Sequence, residues 1–275
     1  MLAAEIGEVA LSSEMQTVLN QKVVIEFREV DYTLPKGELL LRGLNLQVHR
    51  GETLVLLGRS GSGKTTSLKL INRLLTLSGG EIFVNGSSIA ECDVIRLRRS
   101  IGYVIQDVGL FPHFTVERNI GLVPNIEGWP AERIRQRVAE LLQLVGLDGQ
   151  IAARYPYQLS GGQRQRVGVA RALAADPEIL LMDEPFGALD PLTRDQLQKE
   201  FLSLQQRLNK TVVFVTHDLR EALRLGSRIA LMEAGKLETV LSPEEFLRSR
   251  DSLAAAYVRA FGEGLESVAH RGGTA

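Results

Sequence analysis

The chain has 275 residues and a single cysteine, Cys92, so it can form no internal disulfide and offers no cysteine metal cluster. One lone thiol fits a reducing compartment. Long apolar runs are lacking too, and none approaches the ~18 residues of a membrane span. The densest, Leu54–Leu57, Ile179–Met182 and Val212–Val215, have the length of strands. The first residues include Glu5, Glu8 and Glu14 with no early Lys or Arg, so they do not read as a secretory signal. Charge of one sign is missing as well. There are 32 Lys and Arg against 33 Asp and Glu, a net charge of −1, without the strongly basic balance of a nucleic-acid-binding domain.

What is present is ordinary for a globular chain: 44% hydrophobic and 24% charged residues, which excludes disorder for most of it. A chain this long buries enough surface to fold without a staple. Residues 1–20, with Leu2, Ile6 and Val9 on one helical face, are expected to be an N-terminal extension. A domain is expected over 21–250, with a helical subdomain at about 107–175. A C-terminal helix and a flexible, glycine-dotted tail are expected over 251–275.

Inside the domain, apolar β-rich segments (Val23–Val30, Leu39–Val48, Thr53–Leu57, Glu81–Val84, Ile101–Ile105, Ile179–Met182, Thr211–Thr216, Arg228–Met232, Leu237–Val240) predict strands. Helical spacing predicts helices over Gly63–Leu75, Glu132–Val145, Gly161–Ala174, Pro191–Leu208 and Asp218–Leu225. Strands alternating with helices imply parallel pairing and an α/β fold.

Gly58-Arg59-Ser60-Gly61-Ser62-Gly63-Lys64-Thr65 matches the phosphate-binding loop pattern in full, between an apolar strand and a helix, with Thr66 following. Three glycines let backbone wrap close to a polyphosphate. The inward N–H groups and the helix N-terminus favour phosphate oxygens. Lys64 is expected to reach the β- and γ-phosphates and Thr65 to ligate Mg²⁺. At the end of the apolar run Ile179–Met182, Asp183 and Glu184 emerge where parallel sheets bind ligands. Asp183 suits the metal and Glu184 an attacking water. A second cradle, Leu159-Ser160-Gly161-Gly162-Gln163, opens a helix. One γ-phosphate needs one loop, so two cradles point to two chains head to tail, each completing the other's site.

These motifs, taken in order with Gln106, Ala188-Leu189-Asp190 and His217, resemble the ATP-binding subunit of ABC transporters over about residues 21–250. The resemblance implies a P-loop ATPase of that type: a mixed-sheet core, an antiparallel β subdomain and an α-helical subdomain. It implies ATP and Mg²⁺ as cofactors, Glu184, His217 and Lys64 as catalytic residues, and Thr65, Gln106 and Asp183 at the metal. Tyr32 takes the place of an aromatic that stacks on adenine. Ser160, Gly161, Gly162 and Gln163 face the partner's γ-phosphate, and Asp190 shapes the partner's site. Implied partners are a second copy, integral membrane permease subunits that grip the region of Leu110, Phe111 and Phe114, and indirectly a substrate-binding protein. The implied place is the cytoplasmic face of the plasma (inner) membrane, bound peripherally. No nucleic-acid partner is implied.

Ile71-Asn72-Arg73-Leu74, Ile101–Gln106, Gly109–His113 and Leu122-Val123-Pro124 further resemble importers of quaternary-amine osmoprotectants such as glycine betaine, choline or carnitine. The CBS regulatory pair that many such subunits carry is not expected here. Other importers (nitrate, sulfonate, amino acid) and exporters share the general pattern.

Overall fold

The computed structural model describes residues 22–260 apart from Asp107 and Ala188. The expected extension 1–20 and the tail beyond 260 lie outside the described residues.

Strands β1 (Val23–Thr33) and β2 (Leu39–His49) form an antiparallel hairpin. Its turn is closed by the Gly37 N–H donating to Leu34 O at 2.8 Å. β4 (Gly79–Val84) and the short β5 (Ser87–Ser88) complete a four-stranded antiparallel sheet ordered β2-β1-β4-β5. The second sheet has six strands: β10-β9-β3-β8-β7-β6. They are β3 (Thr53–Gly58), β6 (Ile101–Val104), β7 (Ile179–Asp183), β8 (Thr211–Thr216), β9 (Arg228–Glu233) and β10 (Lys236–Leu241). β6, β7, β8, β3 and β9 run parallel; β10 is antiparallel to β9.

The helices are α1 (Lys64–Ile71), α2 (Val94–Ser100), α3 (Val116–Ile120), α4 (Leu122–Ile126), α5 (Ala131–Leu144), α6 (Gly161–Leu173), α7 (Pro191–Leu208), α8 (Leu219–Leu225) and α9 (Pro243–Arg248). Residues 252–260 form a last helix, α10, up to the limit of the described chain. α1 is shorter than its periodicity predicts: Asn72 caps it, and Arg73 turns to φ 52°.

The continuous apolar runs of β3, β7 and β8 are explained by burial on both sheet faces. Leu54, Leu56, Leu181, Val213 and Val215 pack toward α1 and the antiparallel sheet. Val55, Leu57, Leu180, Met182, Val212 and Phe214 pack toward α5–α8. That double cover fixes β3, β7 and β8 side by side. Their C-terminal ends, which carry the motif residues, therefore meet at one edge.

Candidate nucleotide site

The phosphate loop leaves β3 at Gly58 and enters α1 at Gly63, whose φ of 98° and close approach to Leu41 leave no room for a Cβ. The loop borders a cavity of about 740 Å³, lined by Arg59, Ser60, Gly61, Lys64, Thr65 and Thr66 and also by Gln106, Glu184 and His217. Three separate motifs, from the ends of β3, β6 and β7–β8, thus share one opening.

Lys64 is only 5% exposed. Its Nζ donates to the carbonyls of Gly58 (2.8 Å) and Arg59 (2.7 Å) and more weakly to Ser62 Oγ (3.4 Å). Burial lowers its pKa; the nearby Glu184, Asp183 and Glu233 pull the other way. The Thr65 hydroxyl donates to Asp183 Oδ1 at 2.8 Å, joining the phosphate loop to the end of β7. Asp183 is 4% exposed, and burial pushes its carboxyl above the usual range, against the lowering effect of Thr65. A hydroxyl beside one buried carboxylate is a hard-oxygen donor set, which suits Mg²⁺, an ion that takes one or two carboxylates and completes its shell with phosphate and water.

Glu184 adopts φ 43° immediately after β7. A left-handed conformation in a non-glycine residue costs on the order of 1–3 kcal/mol and is concentrated at functional sites. Its N–H donates to Val215 O at 3.0 Å, and its Oε2 lies 3.1 Å from His217 Nδ1. The two side chains therefore face each other across the cavity wall. The imidazole is exposed and the carboxylate mostly covered.

Ser160–Gln163 are placed elsewhere. Ser160 is the N-cap of α6: its Oγ accepts the Gln163 N–H (3.2 Å), while Gln163 Oε1 accepts the Ser160 N–H (2.9 Å). Ser160 and Gly161 are exposed, and none of the four residues lines the cavity. Asp190, also exposed, caps α7 through the Thr193 N–H at 3.0 Å.

Tyr32 is placed differently. The structure does not bring it to the cavity. It lies on the inward face of β1, 8% exposed, among Leu41, Leu68 and other core residues. The pattern Ile25, Phe27, Val30, Tyr32 explains this: a bulge at Glu29 (φ 46°) shifts the alternation by one residue and puts the ring on the buried side of the sheet. The phenol ring that does line the cavity belongs to Tyr257 on α10, beside Leu40 and Leu253.

Several supporting residues carry no sequence signal. The Tyr103 phenol faces Asp183, and burial, followed by that carboxylate, raises its pKa. Arg171 donates to Val108 O and Gly109 O, both at 2.6 Å, and so ties down the chain just beyond Gln106. Buried Asn119 makes four bonds, with Phe111 N and O, Phe114 O and Thr115 O. It holds a loop on which Phe111, His113 and Phe114 pack ring against ring, with Phe111 40% exposed.

The ABC transporter family model matches residues 41–187, which include the phosphate loop, Gln106, Ser160–Gln163 and Asp183-Glu184. The chain belongs to the ABC transporter family. Within that family it is 50% identical over 226 residues to the glycine betaine/carnitine/choline transport ATP-binding protein OpuCA of Bacillus subtilis (strain 168), over 82% of this chain and 60% of that one. It is 54% identical over 215 residues to the osmoprotectant import ATP-binding protein OsmV of Salmonella typhimurium, over 77% of this chain and 56% of that one. The corresponding value for the glycine betaine uptake system ATP-binding protein YehX of Escherichia coli (strain K12) is 51% over 214 residues, with 78% and 69% covered. The chain thus spans about 60% of the length of the first two of these ABC subunits.

Among solved ABC cassettes, the dimeric post-hydrolysis state of MJ0796 bound to ADP and Pi superposes with a TM-score of 0.73 at 34% identity, covering 80% of this chain and 98% of that one. CbiO1 from Clostridium perfringens gives 0.77 at 27% identity, covering 90% and 100%. The expected mixed-sheet core, antiparallel sheet and helices of an ABC ATPase are what the structure contains, with six strands in the core sheet. Among the described residues no helix is long and apolar enough to cross a membrane.

Proposed function

We propose that this chain is the ATP-hydrolysing subunit of a membrane importer whose cargo is glycine betaine or a related quaternary-amine osmoprotectant. The observation that carries the hydrolytic reading is the convergence of Lys64, the Thr65–Asp183 pair and the Glu184–His217 pair on one cavity. Relatives at about 50% identity, named for betaine, choline and carnitine transport, support the cargo.

Phosphoryl transfer needs positioning and charge neutralisation more than covalent chemistry. Loop N–H groups from Gly58 to Thr66 receive the phosphate oxygens at the start of α1. Lys64 exchanges its bonds to the loop carbonyls for β- and γ-phosphate oxygens. Thr65, Asp183 and Gln106 are the residues that would hold Mg²⁺, which supplies charge neutralisation on the phosphates. Glu184, aimed into the cavity by its left-handed backbone, accepts a hydrogen bond from the attacking water and orients it. His217, 3.1 Å from Glu184, keeps that carboxylate in place and reaches toward the γ-phosphate.

Ser160–Gln163 stay outside this cavity, so a second copy, turned head to tail, supplies them. Asp190 sits at the same face. The permease subunit takes the aromatic loop held by Asn119, and the assembly lies on the cytoplasmic face of the membrane. A substrate-binding protein delivers the cargo.

Purified chain should hydrolyse Mg-ATP slowly and respond to its permease. A binding protein encoded beside it that cages a quaternary ammonium with aromatic rings supports the cargo. One that binds sulfonate or nitrate overturns that part alone.

A further inference from the structure

A buried acid lies beneath the Glu184–His217 pair and takes no part in the steps described. Glu221, on α8, is 5% exposed. Its Oε2 accepts the Thr216 hydroxyl at 2.6 Å, and its Oε1 accepts Gln198 Nε2 at 3.1 Å. The Gln198 amide is fixed from its other end, where Oε1 accepts from Arg224 at 3.0 Å. Both partners offer Glu221 a donor, which suits a carboxylate that only accepts.

The Thr216 hydroxyl has one proton and two lone pairs. With the proton given to Glu221, a lone pair receives the Asp218 N–H at 3.0 Å. Thr216 and Asp218 are the immediate neighbours of His217. The carboxylate therefore sets the Thr216 rotamer, and that hydroxyl pins the chain on both sides of the histidine. The same helix that supplies Gln198 also supplies Arg194. Its guanidinium donates to Phe186 O (3.2 Å) and Leu189 O (3.0 Å), in the loop that follows Glu184. A polar layer from α7 and α8, buried at Gln198 and Glu221 and half-buried at Arg194, thus underlies both members of the pair.

We infer that Glu221 is a positioning residue for hydrolysis, acting through Thr216 and the Asp218 N–H to hold His217 against Glu184. This rests on the hydrolytic reading of the site.

The test measures kcat and KM for Mg-ATP, and the melting temperature, on the full chain. The variants are Glu221→Ala, Glu221→Gln, Thr216→Val, His217→Ala and the double variant Glu221→Ala/His217→Ala. Glu221→Ala is expected to lower kcat between about tenfold and a hundredfold with KM within about twofold, the range that misplacing a reacting group produces. Thr216→Val, which removes the hydroxyl but keeps the shape, lowers kcat in the same way. Glu221→Gln retains one acceptor and more activity than Glu221→Ala.

Added to His217→Ala, Glu221→Ala lowers kcat no further, because both act through one imidazole. A general loss of packing would instead multiply the two effects and act through the melting temperature. Unchanged kcat in Glu221→Ala and Thr216→Val, or fully multiplicative effects with His217→Ala, overturns the inference while leaving the hydrolytic reading intact. An inactive parent chain overturns both. Should Glu221→Ala fail to fold, Thr216→Val and Glu221→Gln decide the question.

Discussion

The two segments proposed as phosphate cradles are built in opposite ways. The loop at Gly58–Thr65 is sunk at the sheet edge. Its lysine is buried, its threonine is bonded to a carboxylate from another strand, and its cavity is walled by residues from three motifs. The cradle at Ser160–Gln163 is exposed at Ser160 and Gly161 and half-buried at Gly162 and Gln163, and its polar side chains bond to the start of their own helix. A helix N-terminus of this kind offers donors and positive potential but no enclosing wall. On the proposed function, the difference means that one cradle binds a nucleotide within the chain, whereas the other meets a ligand presented to it by a second copy.

Damage to the sunken cradle should have the largest effect. Lys64→Ala is expected to lower ATP hydrolysis by at least about a hundredfold, the usual loss when a preorganised donor to a developing charge is removed. It should also weaken nucleotide binding to the isolated chain. If it hydrolyses ATP normally, the buried lysine is structural.

Ser160→Asp sharpens the contrast, since aspartate preserves the helix cap but sets a negative charge where a partner's γ-phosphate is to lie. Hydrolysis should fall by about a hundredfold. Melting temperature and ATP affinity of the single chain should not change. Weakened ATP binding by monomeric Ser160→Asp would break the assignment of the two cradles to two chains.

Asn119→Ala leaves both cradles whole. It strips the side-chain partner from Phe111 N and from Phe114 O, each worth about 1–3 kcal/mol if left unpaired, while Phe111 O and Thr115 O keep backbone N–H donors. A fall of about 5–10 °C in melting temperature is expected, together with loss of permease-stimulated hydrolysis. Basal hydrolysis should be largely retained.

The smallest effect concerns the pair Asp176–Lys210 at 2.8 Å, in which only the carboxylate is largely exposed and which has Arg137 nearby. The Lys210 hydrogen bond holds the Asp176 carboxyl below its usual range, against partial burial. Its stabilisation is therefore present above the ordinary carboxylate pKa and lost as pH falls through the depressed one. Asp176 is largely exposed, so Asp176→Asn should cost at most about 2 °C near neutral pH. In acid, parent and variant should converge. A cost that grows as the solution is acidified contradicts that sign.

The legibility of the sequence follows the same division. Strands β3, β7 and β8 are readable because burial on both faces demands unbroken apolar runs. The phosphate loop is readable because glycine spacing and a lysine belong to one short segment. The face of Tyr32 is less legible: position near a strand end does not show which sheet face the ring occupies, and the bulge at Glu29 shifts the alternation so that the ring lies inside. α10 lining the cavity, Asn119 under the aromatic loop and Glu221 under His217 were hidden for another reason. Their partners are 8 or more residues away in some bonds and on other elements in most, so no local pattern announces them. Glu221 sits in a helix face that reads as solvated until α7 covers it.

The measurement that bears most directly on the account is the mass of Glu184→Gln in solution, by light scattering, with and without Mg-ATP. The variant keeps the shape of Glu184 but replaces the carboxylate proposed to polarise water with a neutral amide. The account predicts a monomer without nucleotide and a stable dimer with Mg-ATP, holding unhydrolysed ATP, while the parent chain turns ATP over and returns to monomer. Hydrolysis by Glu184→Gln at the parental rate, or a monomer that binds Mg-ATP without dimerising, contradicts it.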